Sequence, residues 1–219
     1  ASVRPCLCQC LLPAVAQDQN AADQAARHLA VLQSEAPAAD KALACKGLAM
    51  YGGKECVPAL APLLADEQLA CWARIALQTI PDPAAGDALR AALDKLEGNL
   101  AIGVINSIAV RRDTKATGAL IARVGDKDAE VAQAAAVALG RLGGPAAVKA
   151  LETALTKGSP ALRSAAAEGC ILAGEQLQAG GSAEQAVRLF DVVRAAELPK
   201  QRIIEATRGA ILARGSAGI

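Results

Sequence analysis

One histidine, His28, stands in the 219 residues. Ser–His–Asp or Cys–His chemistry would need it as the base, because no other side chain offers a neutral imidazole. It lies in a polar stretch, far along the chain from the apolar segments that follow, so neither arrangement is expected. Cys6, Cys8 and Cys10 crowd together like thiolate metal ligands, but no histidine or second cysteine pair nearby completes a site. Asp94 and Glu97 are close enough to act as paired carboxylates, yet they read as an ordinary solvated helix face. No GxxxxGK[ST] or GxGxxG stands after a strand. The expectation is a chain with no catalytic residues, no metal and no cofactor. Trp72, the single tryptophan, is the residue best suited to anchor a partner. It is better suited still to filling space left by its small neighbours.

The elements that position these residues are clearest between Asp126 and Leu155. Asp126 or Asp128 can cap a helix, since a carboxylate accepts hydrogen bonds from the free N–H groups of a first turn. Val131, Ala134, Ala135, Ala138, Leu139 and Leu142 follow at steps of three and four, one face of an α-helix. Gly143 and Gly144 end it. Pro145 opens a second helix, where its missing N–H costs nothing. Ala147, Val148, Leu151, Ala154 and Leu155 give that helix its own apolar face.

This hairpin repeats. Leu48, Leu77, Ile108, Leu139, Cys170 and Ile211 form a column with steps of 29, 31, 31, 31 and 41 residues. Leu60, Leu89, Leu120, Leu151 and Val192 keep the same irregular spacing. One position before the first column stand Gly47, Ala76, Ser107, Ala138, Gly169 and Ala210, all small. The large columns bury between paired helices, and the small column marks where helices cross closely. No single pair can bury its own apolar face, so the units must stack. Hydrophobic residues make up 53% of the chain and aromatic ones 1%, an alanine-rich balance that favours helices throughout.

In chain order, Asp18 to Gln33 reads as a first helix and Pro37 opens the next, through Tyr51. The helix from Lys54 to Leu64 should bend at Pro62. Asp66 caps the next one, which ends before Pro81. Ala84–Leu96, Leu100–Val110 and Thr114–Val124 precede the hairpin. Ser159-Pro160 is a cap followed by a first-turn proline. The fifth step expands by ten residues: that helix runs on through Leu177, and Ala179-Gly180-Gly181 form a loop. Ser182 with Gln185 resembles a capping box. Ala186, Val187, Leu189, Phe190 and Val193 make an outer helix, and Pro199 opens the last one.

The aspartate, valine, alanine run, leucine–glycine stop and following A-x-x-x-L-x-x-x-L helix resemble bacterial HEAT repeats. Asp128, Val131, Ala134, Ala135, Leu139, Gly140, Gly143, Leu151 and Leu155 carry the resemblance, which extends more weakly over residues 20 to 215. It implies an all-α fold: an α-solenoid of about five HEAT-like hairpins in a right-handed superhelix, alanine-rich helices on the concave side, used for protein–protein contact. The HEAT-type deoxyhypusine hydroxylases need His-Glu dyads that are absent here. HEAT-like DNA glycosylases line a groove with aromatics and cations. Here the groove positions are Ala42, Cys71, Ile102, Gln133, Ser164 and Glu205, then Lys46, Ile75, Asn106, Val137, Glu168 and Gly209. They are mixed and free of aromatics. Arg111, Arg112, Arg141 and Arg163 form at most a local ridge near helix ends, read as solvated or salt-bridged. With a net charge of +1, no nucleic-acid partner is expected.

The resemblance therefore implies a non-enzymatic scaffold that holds a protein or peptide on its concave face. Trp72, Ile75, Ile102, Asn106, Gln133 and Val137 are the candidate contacts, with Ile75, Ile102 and Val137 as an apolar strip. The alternative is the front array of a larger exported enzyme, such as a sugar-acting hydrolase, since the last inner helix lacks a polar capping helix. HEAT-type bilin lyases require acidic and aromatic groove residues that are scarce here. At the front, Arg4, the apolar run Cys6 to Leu12 and Ala14-Val15-Ala16 read as a signal peptide over residues 1–16, clipped at its start. The array would then cover 17–219 and the protein would be exported. Cys45 and Cys56 flank the Gly52-Gly53 turn, where a disulfide is conceivable, but buried free thiols fit better. No run is long and apolar enough to span a membrane.

Overall fold

The computed structural model describes residues 12–215. Among them stand twelve α-helices and no strand: α1 (Leu12–Gln33), α2 (Ala38–Tyr51), α3 (Val57–Leu60), α4 (Ala70–Thr79), α5 (Pro83–Leu93), α6 (Gly98–Val110), α7 (Thr117–Arg123), α8 (Ala129–Leu142), α9 (Pro145–Lys157), α10 (Pro160–Ala179), α11 (Ala183–Ala195) and α12 (Lys200–Arg214). Odd-numbered outer helices alternate with even-numbered inner ones, the all-α solenoid class. The chain divides into two compact units, Ala1–Ala88 and Leu89–Ile219. The readings on residues 1–11, with Cys6, Cys8 and Cys10, lie outside the described residues.

In the first unit α2 packs on α1 and on α4. His28 has a structural place there. Its ring lies directly over Gly47, where a Cβ would come within 2.2 Å of Nε2. Tyr51 stacks against the same ring, with centroids 6.4 Å apart. The segment from Lys54 to Ala65 breaks into a 3₁₀ turn, the single α turn of α3 and a second 3₁₀ stretch. Pro58 and Pro62 remove two amide donors and prevent a continuous helix. Leu60 and Leu64 stay buried all the same. The Oδ1 of Asp66 accepts from the backbone N–H groups of Gln68 and Leu69 at 2.8 and 3.0 Å, so it holds the turn that leads into α4. The Thr79 hydroxyl then donates to the Ala49 carbonyl at 2.8 Å and ties α4 to α2.

In the second unit the inner helices stack in order, α6 on α8, α8 on α10 and α10 on α12. Asp128 caps α8: its Oδ1 accepts from the N–H groups of Glu130 and Val131 at 2.9 and 3.4 Å. Gly143 and Gly144 stop that helix with φ of 69° and 86°, which side chains disfavour. Ser159 caps α10 through the N–H of Leu162 at 3.3 Å. Asp126 serves the turn before α8. The N–H of Asp128 and then the Arg123 guanidinium hold its carboxyl below the usual range. The small column does what its spacing predicts. A Cβ on Gly140 would lie 2.4 Å from both Cα and O of Gly169, so α8 and α10 touch backbone to backbone.

The last copy departs from the expected register. Val192 and Ile211, placed in buried columns by spacing, are 38% and 43% exposed. Leu189 and Val193 are buried instead on α11, and Ala206, Gly209 and Ala210 on α12. The cause is Phe190. Its fully buried ring fills the space above two glycines: a Cβ on Gly174 or Gly209 would come within 2.7 or 2.6 Å of it. That single large ring sets the register of the pair. The capping box at Ser182 does not form either, and its hydroxyl makes no cap bond. Its amide donates to the Leu177 carbonyl at 2.8 Å, and the Gly181 amide donates to Gln178 at 3.0 Å. With Gly181 at φ 80°, this is the two-bond closure that ends a helix. Ser182 is committed to closing α10.

Candidate functional site

Four large apolar side chains of the first unit reach the surface from two packed inner helices. Trp72 and Ile75 on α4 are 40% and 36% exposed, and Leu43 and Met50 on α2 are 64% and 66% exposed. Trp72 thus packs partly against its small neighbours and leaves 40% of its surface exposed. Leu43 holds the place in its repeat that Trp72 holds in the next. Met50 lies seven residues on from Leu43, two turns along the same stripe. The Thr79–Ala49 hydrogen bond fixes the two helices beside this stripe. Lys46 is exposed between Leu43 and Met50 and adds a cation beside these apolar side chains. Leu43 and Met50 belong with the candidate residues; the register that Leu43 shares with Trp72, and the seven-residue step from Leu43 to Met50, were the signals that could have found them.

The other four candidates lie in the second unit. Ile102 and Asn106 are on α6, Gln133 and Val137 on α8, two helices that pack together. Asn106 is exposed; the other three are half-buried. Gln133 folds back, its Nε2 donating to the Ala129 carbonyl of its own helix at 2.9 Å. Ile75 is in the first unit and Ile102 and Val137 are in the second, so each contributes to the face of its own unit. Further along, Glu168 and Glu205 are held by one guanidinium. Arg202 pairs with both, at 2.8 Å for Glu205, and keeps the Glu205 carboxyl below its ordinary range. These positions stabilise the α10–α12 contact.

The arginine ridge divides. Arg112 and Arg141 line one depression of about 450 Å³ together with Glu175, which supplies an opposing charge. Arg163, in the first turn of α10, is not part of it. The expanded fifth step does build a cavity. About 850 Å³ opens between α9, α10 and α11, lined by Leu142, Val148, Leu177, Leu189 and Val192 with Gln176 and Arg188. Gln176 is occupied: its Nε2 donates to the carbonyls of Gly140 and Arg141, each at 3.0 Å.

No cluster of three metal-ligating side chains occurs among the described residues, and no helix there is long and apolar enough to cross a membrane. The cysteines at 45, 56, 71 and 170 are free. Burial pushes the Cys45 thiol up to about 11, the Cys170 thiol up to about 12 and the Cys56 thiol upward, so none of these three supplies a thiolate near neutrality. Among the described residues only Cys71 is an exposed cysteine. Brief maleimide labelling of the native protein, read by peptide mapping, is therefore expected to modify Cys71 and to spare the other three until urea is added. Rapid modification of Cys45 would contradict the packing of α2.

Residues 87–170 match the family model described as HEAT repeats. No curated protein matches the chain. Among solved structures, a designed armadillo repeat protein in complex with the peptide (KR)4 is 16% identical, aligned over 85% of this chain and 98% of that one, with a TM-score of 0.50. The complex of CpcE and CpcF of phycocyanin lyase from Nostoc sp. PCC7120 is 18% identical over 99% and 91% of the two chains, TM-score 0.44. Human deoxyhypusine hydroxylase in complex with glycerol is 17% identical over 94% and 89%, TM-score 0.33. At 16% identity the likeness to the designed armadillo repeat protein is one of fold.

Proposed function

We propose that this HEAT-repeat solenoid is a non-enzymatic interaction scaffold that holds a protein or peptide partner on the exposed face of its inner helices. The observation that carries the reading is the patch of Leu43, Met50, Trp72 and Ile75 on α2 and α4. Covering apolar surface stabilises a complex by about 25 cal/mol per Å², and tryptophan is enriched among the residues that dominate binding energy. The lone histidine is committed to packing, and three of the four described cysteines are buried. Export is part of the same proposal, with a mature chain starting near Gln17; N-terminal sequencing of the protein secreted by its source cell tests it.

The patch is tested by placing a photo-crosslinking residue at Leu43, identifying the captured partner, and measuring its affinity for variants. Trp72→Glu and Ile75→Glu should each lower affinity by about tenfold or more, the effect of losing a 1.4 kcal/mol contact, with unchanged melting curves because both side chains are already exposed. Ile102→Asp and Val137→Asp test the α6–α8 face, with melting curves recorded beside affinity because both side chains are half-buried. Wild-type affinity in all four variants would remove the inner-helix faces as the binding surface.

A further inference from the structure

The outer side of the second unit carries a groove of different chemistry. Its cause lies in the inner layer: α8 and α10 meet backbone to backbone at Gly140 and Gly169, while the outer helices α7 and α9 leave space between them. That space is about 550 Å³, with Ile121, Val124, Ala150 and Leu162 among its apolar lining.

The only charged side chains lining this groove are Lys149 and Lys157. Both are exposed, and neither ammonium meets a carboxylate among the described residues. No acidic residue occurs in α7. The single acidic residue of α9, Glu152, lines the cavity on the other side of that helix. The one arginine of α7, Arg123, is bound to Asp126 and to the carbonyls of Leu93 and Leu96. An apolar floor with an uncompensated cationic rim is thus built into the outer layer. Lys149 and Lys157 stand eight residues apart on one helix, about 12 Å along its axis.

We propose that this groove docks an acidic amphipathic helix of a partner protein. The apolar stripe of that helix lies on Ile121, Val124 and Leu162, and two carboxylates seven or eight residues apart meet Lys149 and Lys157. Charge complementarity selects this occupant. A nucleic acid would need a longer run of cations and no apolar floor. Recognition of a helix by a groove with spaced anchors is a common mode of docking. The proposal is independent of the inner-helix patch.

The probe is a fluorescent alanine-based peptide of about 18 residues, long enough to form a helix, with a leucine stripe and two glutamates eight positions apart. Anisotropy with the full chain is expected to show saturable binding that weakens as salt is raised. Lys149→Glu combined with Lys157→Glu should weaken binding about tenfold or more, and should bind the peptide's lysine-for-glutamate version better than wild type does. Trp72→Glu should leave both affinities unchanged. Lys149→Gln, which keeps a helix-forming side chain, controls for folding and should give an intermediate loss. Equal binding of the acidic and basic peptides, or no change in the double variant, would overturn the proposal. So would lysine-dependent binding to phosphatidylglycerol vesicles without peptide binding, which would assign the groove to a lipid surface. Concentration-dependent self-association abolished by the same lysine substitutions would assign it to a second copy of the chain.

Discussion

Replacing Gly140 with alanine is expected to lower the stability of the array by about 3 kcal/mol, read as a fall in the urea midpoint. The added methyl would lie 2.4 Å from Cα and from O of Gly169 and 2.7 Å from its carbonyl carbon. All three are backbone atoms, so no side chain can swing aside, and α8 and α10 must separate. Separation loses contacts along the whole helix pair, because dispersion falls off within an ångström of the optimum. Gly169→Ala should cost less. Its methyl meets one backbone atom, the Ala136 carbonyl oxygen at 2.7 Å, and otherwise the flexible end of Leu151. Gly118→Ala should go the other way and stabilise by about 0.5–1 kcal/mol. Nothing lies within 4 Å of its added Cβ, and alanine is the better helix former. A result in which all three substitutions behave alike would contradict the close crossing.

Phe190→Ala is expected to cost about 4 kcal/mol, in the range measured for fully buried aromatic rings. The ring is the filling for two missing side chains, one on α10 and one on α12. Removing it leaves a void bordered by glycine backbone, which cannot relax inward easily. The coupling offers a sharper measurement. Gly209→Ala alone places a methyl 2.6 Å from the ring and should destabilise. In a Phe190→Leu background the same methyl finds room, so the two losses should sum to more than the double variant loses, by about 1 kcal/mol. Additive losses would mean that Phe190 and Gly209 do not share the space assigned to them.

Helix starts and stops were legible because their causes are local. Asp128, Gly143, Pro145 and Ser159 act within a few residues of themselves, and each performs the role its type and position predict. The column through Leu48, Leu77, Ile108, Leu139 and Cys170 was legible because a nearly constant step returns the same buried position in each copy. The last copy was not. A ring at position 190 fits only against glycines that are 16 residues before it and 19 after it in the chain, and no local pattern announces that fit. Ser182 failed for a related reason, since its amide was claimed by the closure of the preceding helix. At the surface, Trp72 stood out by its type, whereas Leu43 and Met50 look like core residues until α4 is seen beside them. Lys149 and Lys157 look like any solvated helix face, and only the splaying of α7 from α9 gives them a floor to flank.

At three junctions a side chain of a later copy reaches back to carbonyls of the copy before it. Thr79 reaches back to the Ala49 carbonyl, Arg123 to those of Leu93 and Leu96, and Gln176 to those of Gly140 and Arg141. In each case a later copy supplies the donor and an earlier copy supplies the orphaned carbonyl at or near the end of a helix. During synthesis, a hairpin leaving the ribosome therefore emerges with its carbonyls still open to water. Its donors arrive only with the following hairpin. At these three junctions a hairpin completes its hydrogen bonding one repeat behind its own translation.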